Sequence, residues 1–69
     1  MRKPTELRAL ERAIEIAGGQ SALGRAINKR QSVIRDWLVR RKRVPAEHVA
    51  AVAAATGLTR EELRPDIYA

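Results

Sequence analysis

Apolar side chains recur along this chain at intervals of three and four residues, and alternating β-branched runs are missing. That period predicts amphipathic helices and no strand. Five helical segments can be drawn. The first runs roughly Thr5 to Ala17, with Thr5 placed as N-cap after Pro4. Leu7, Leu10, Ile14 and Ala17 form its stripe with Ala13 beside it, and Gly18 and Gly19 stop it. A short second helix spans about Gln20 to Ile27, with Ala22, Leu23, Ala26 and Ile27 as its buried face. Asn28 then suits a left-handed turn position. A third helix runs from about Gln31 to Val39. The fourth begins at Pro45 and continues to Thr56, on a stripe of Val49, Val52, Ala53 and Thr56. The last, Thr59 to Leu63, has the spacing of a capping box between Thr59 and Glu62.

On the wheel of the third helix, Ile34, Trp37 and Leu38 share one arc with Val33 at its edge. Ser32, Arg35, Asp36 and Val39 lie opposite, with Gln31 at the N-terminal end. One face is core. The other offers an amide, a hydroxyl, a guanidinium and a carboxylate. Such groups match base edges: Gln with adenine, Arg with guanine, Ser with several bases, Asp with cytosine N4. Two short helices joined by a tight turn form a helix-turn-helix, here about residues 20–39, whose second helix enters the major groove.

Charge strengthens this reading. From Arg25 to Arg43 eight Lys/Arg face one acid, a balance of +7, while the rest of the chain balances at −1. A patch so localised is the footprint of a polyanion partner. Lys29, Arg30, Arg40, Arg41, Lys42 and Arg43 bracket the third helix and suit phosphates.

Composition narrows the rest. Sixty-nine residues predict a single domain, 1–69, with a small core. There is no cysteine to form a disulfide or a thiolate metal site. No apolar run approaches the ~20 residues of a membrane span, and charges interrupt "MRKPTELRALER" throughout, unlike a signal peptide. The expectation is a cytoplasmic protein without a membrane role, metal or other cofactor. His48 is the single histidine and reads as a helix-surface residue; no set of side chains has the spacing of a catalytic site, so no enzyme activity is expected.

The run "QSALGRAINKRQSVIRDWL", Gln20 to Leu38, resembles the helix-turn-helix of phage Cro and repressor proteins. The whole chain resembles the YdaS-like group of small Cro-type regulators, through "ALERAIEIAGGQSALGRAI", "WLVRRKRVPAEHV" and "ATGLTREELRPDIY". The terminal "LRPDIY" is the narrower marker. The resemblance implies an all-α, five-helix lambda-repressor-like fold and sequence-specific binding of double-stranded DNA in phage-derived regulatory modules, some of them antitoxin-like. It places Gln20 at a phosphate and Gly24 where the motif helices approach closely. It puts Gln31, Ser32, Arg35 and Asp36 at base-reading positions. Asn28 stands where the group usually has Gly, and Lys29 where a small apolar residue usually packs inward.

The expected working unit is a homodimer on a pseudo-palindromic operator, since one short helix reads few bases. A different class of function is an antitoxin-like module that binds a partner protein. It is favoured by the small residues Ala50, Ala51, Ala53, Ala54 and Ala55, wider than one buried stripe needs. Binding to an anionic membrane surface is disfavoured, because the apolar face of the third helix is needed in the core.

Overall fold

The computed structural model describes residues 4–68, and every regular element among them is helical. Helix α1 spans Thr5–Ala17, α2 Gln20–Ala26, α3 Gln31–Asp36, α4 Val49–Thr56 and α5 Arg60–Leu63. A π turn, Trp37–Arg41, continues α3, and a 3-10 turn, Ala46–His48, leads into α4. The architecture is the all-α, five-helix helix-turn-helix type that the periodicity predicts.

The core draws on every helix. Leu10 and Ala13 of α1, Leu23 of α2, Ile34 of α3, Val49 and Val52 of α4 and Leu63 of α5 are fully buried. Trp37, only 3% exposed, completes it together with Val44 and Leu58. The stripe of α1 is thus centred on Leu10 and Ala13, with Ile14 and Ala17 packed at its margin. Trp37 fills the junction between the π turn and the second half of the chain. Its ring stacks on that of His48, centroids 5.2 Å apart.

Four local expectations need correction. Pro4, not Thr5, is the N-cap of α1: its carbonyl accepts from the amides of Leu7 and Arg8 at 3.1 Å each, and no side chain caps the end. Ala26 is exposed; Gly24 takes the inward place beside Leu23, which turns Ala26 toward solvent. Pro45 lies before the fourth helix, not in it. It is buried in extended backbone, and the chain first makes the 3-10 turn before α4 begins at Val49. His48 is half-buried against Trp37 and is not a free surface residue.

Other turns follow the sequence closely. Gly18 closes α1 in the left-handed conformation, φ 102°, and its amide and that of Gly19 bond to the carbonyl of Ile14. The capping box of α5 is formed: Thr59 Oγ1 accepts from the Glu62 amide at 3.0 Å, and Glu62 Oε1 accepts from the Thr59 amide at 3.1 Å.

Candidate nucleic-acid interface

The turn between α2 and α3 explains how a seven-residue helix can hold a six-residue one. Asn28 adopts φ 60°, so it does the work of the glycine expected there. The Lys29 amide then donates to the Gly24 carbonyl at 2.7 Å. A Cβ on Gly24 would lie 2.6 Å from the Lys29 carbonyl oxygen. The close approach is therefore between α2 and the turn backbone, and it requires glycine. Lys29 itself is exposed, so its departure from a small apolar residue adds charge beside α3 and leaves the turn intact.

With α3 so placed, Ile34 is buried while Gln31, Ser32 and Arg35 are exposed. Gln20 and Gln31 are joined directly: Gln31 Nε2 donates to Gln20 Oε1 at 2.7 Å. Gln31 keeps one N–H and its carbonyl oxygen free, the donor and acceptor that an adenine edge requires. The Gln20 amide nitrogen keeps its own hydrogens, which suit a phosphate oxygen.

Asp36 is engaged within the helix. Its carboxylate lies 3.4 Å from Arg40 Nε, an i,i+4 pair with Arg40 largely in solvent. This offsets part of the local charge and occupies the group expected to meet cytosine. Lys29 and Arg30 are exposed ahead of α3, and Arg40, Arg41, Lys42 and Arg43 are exposed after it.

The far end of α3 differs from a simple stop near Val39. The helical path continues to Arg41 with one extra residue in its last turn, closed by the Lys42 amide on the Trp37 carbonyl. Lys42 is left-handed, φ 58°. A π turn of this kind recurs at functional sites. No glycine or proline marks it, which is why the pattern alone places the end earlier.

Nothing in the hydrophobic pattern singles out Arg64, yet it anchors this end. Arg64 is 7% exposed. Its Nη1 donates to the Val44 carbonyl at 2.9 Å, while Nε and Nη2 form a fork on Asp66 at 2.9 and 2.7 Å. The hydrogen bond with Asp66 raises the Arg64 pKa and holds the Asp66 carboxyl below its ordinary value, with the charge of Arg43 adding to the latter. Arg43 Nη1 lies 3.6 Å from Asp66 Oδ2, and Arg43 Nε donates to the Arg41 carbonyl at 3.4 Å. So "LRPDIY" ties the C-terminal segment to the loop after the π turn and restrains one basic residue there. The spacing Arg-Pro-Asp was the available signal, since the proline turns the carboxylate back toward the guanidinium.

Among the described residues no group of His, Cys, Asp or Glu could hold a metal ion, and no helix is long and apolar enough to cross a membrane.

Comparison with known proteins places the sequence in a family. The family described as "Bacterial toxin YdaS" matches residues 10–69. "Putative transcriptional regulator YdaS" of Escherichia coli (strain K12) is 34% identical over 61 residues, covering 86% of this chain and 62% of that protein. The chain thus spans under two thirds of the length of the curated relative. No solved structure matches. The match over residues 10–69 includes α2, the turn, α3 and the "LRPDIY" segment, and on that ground the chain belongs to the YdaS family.

Proposed function

We propose that this chain is a sequence-specific regulator that binds double-stranded DNA, with α3 in the major groove and no catalytic step or cofactor of its own. The observation that carries the reading is the two-sidedness of α3. Ile34 and the following Trp37 are in the core, while Gln31, Ser32 and Arg35 stand in solvent within a segment of charge +7. A helix held by one face and chemically varied on the other is what base reading needs. In this reading Gln31, Ser32 and Arg35 meet bases. Asp36 acts chiefly through Arg40, while Gln20, Lys29, Arg30, Arg40, Arg41, Lys42 and Arg43 meet phosphates. Two protomers occupy a pseudo-palindromic operator in the cytoplasm. The regulator name borne by the E. coli relative supports the same role. Selection of bound sequences from a random duplex pool tests it. A recurring palindrome is the expected result, and a pool without sequence preference contradicts it.

A second reading, a module that binds a partner protein, rests on the outer face of α4. Ala50, Ala51, Ala54 and Ala55 are exposed there, and the family description names a toxin. Growth arrest on expression, unaffected by Arg35→Ala, would favour it over DNA reading.

A further inference from the structure

We propose that Val39 recognises the C5-methyl group of a pyrimidine, thymine or 5-methylcytosine, in the major groove; this deepens the reading of α3 as the base-reading helix. Val39 is 61% exposed, more than Ile16 and Ile67, the other exposed large apolar side chains among the described residues. It stands on the outward face of the helix, one turn beyond Arg35. The fold does not use it, since Ile34 and Trp37 bury the opposite face.

Its surroundings are those of a small apolar spot framed by charge. Arg35, Asp36, Val39 and Arg40 line one surface cleft of about 260 Å³. Asp36 and Arg40 are drawn to each other at 3.4 Å, and Val39 remains uncovered beside them. Of the groups that tell base pairs apart in the major groove, the thymine methyl is the apolar one and the rest are hydrogen-bond donors and acceptors. A valine against a polar edge would remove that edge from water without a hydrogen bond. Against a C5-methyl it makes an apolar contact and loses nothing. Arg35 and Val39 line the same cleft, so the methyl read by Val39 is expected near the guanine that the Arg35 fork matches.

The experiment begins from the duplex that the protein selects. Each thymine is replaced in turn by deoxyuridine, which removes only the methyl, and each cytosine by 5-methylcytosine. Affinity is measured for the wild type and for Val39→Ala. At one position per half-site the deoxyuridine duplex is expected to bind the wild type about fourfold more weakly, the effect of one buried methyl. Val39→Ala is expected to bind the two duplexes within a factor of two. A loss at deoxyuridine assigns thymine, and a comparable gain at 5-methylcytosine assigns the modified base. Wild-type affinity that ignores every methyl overturns the proposal even without the variant. An equal methyl effect in both proteins also overturns it. A pool with no preferred duplex overturns the DNA-reading function itself, a different and recognisable failure.

Discussion

Gln31, the first residue of α3, donates from its side-chain amide to the side chain of Gln20, the first residue of α2, over 2.7 Å. The bond fixes one of the two N–H groups of Gln31 and so fixes the plane in which its remaining donor and acceptor point. It also couples a group suited to a phosphate to a group suited to a base. Gln20→Ala is expected to leave the fold intact and to lower specific affinity by roughly 1 kcal/mol, the scale of one hydrogen bond. The loss should appear as weaker discrimination at the base read by Gln31. A double-mutant cycle with Gln31→Ala measures it, and additive losses would show that the two amides act separately.

Gly24→Ala sets two effects against each other. Alanine favours a helix over glycine by about 1 kcal/mol. The new methyl, however, would sit 2.6 Å from the Lys29 carbonyl oxygen, which is backbone and fixed by the turn. Overpacking of this kind costs typically 1–3 kcal/mol. Net destabilisation is expected in chemical denaturation; a stabilised variant would mean that the turn yields freely.

Asp66 is expected to contribute to the acid sensitivity of the fold. Its folded pKa lies below its ordinary value of 3.8, because Arg64 donates to the carboxylate. The folded state therefore favours the ionised form. The contribution is fully present above the unfolded pKa and is lost as pH falls through the folded one. Asp66→Asn is expected to flatten the decline in thermal midpoint below about pH 4. An unchanged profile would remove the Arg64–Asp66 fork as its cause.

Arg41 and Arg43 lie two residues apart and differ in freedom. Arg43 is shared with Asp66 at 3.6 Å, whereas Arg41 is an exposed residue of the π turn. Arg41→Ala is expected to reduce the slope of log affinity against log salt by about 1, the signature of one phosphate contact. Arg43→Ala should reduce it less. Equal slopes for both variants would mean that DNA displaces Asp66 completely.

The helices and their buried stripes were legible because a period of three to four states itself in residues such as Leu10, Ile34 and Val52. Trp37 was placed in the core by its register with Ile34 and Leu38. Asn28 was legible as a turn because few residues tolerate its backbone angle. The π turn was not, since Trp37 to Arg41 contains no glycine or proline to mark it. Arg64 was not, because a buried guanidinium is defined by its partners, and one of these, the Val44 carbonyl, is 20 residues away. The helical register placed Gln31, Ser32 and Arg35 on the exposed face of α3, as the structure has them. The ties of Gln31 to Gln20 and of Asp36 to Arg40 are matters of side-chain direction.

The central claim, that the outward face of α3 reads bases, is tested most directly at Arg35. Arg35 is exposed, and the buried side chain nearest to it in sequence is Ile34, on the opposite face. Arg35→Ala therefore removes a guanidinium without opening the core. The measurement is the affinity of wild type and Arg35→Ala for the selected duplex and for each of its single-base variants. A loss of roughly 1–3 kcal/mol is expected for the selected site, with discrimination relaxed mainly at one G·C pair per half-site. Unchanged affinity and unchanged discrimination would contradict the claim.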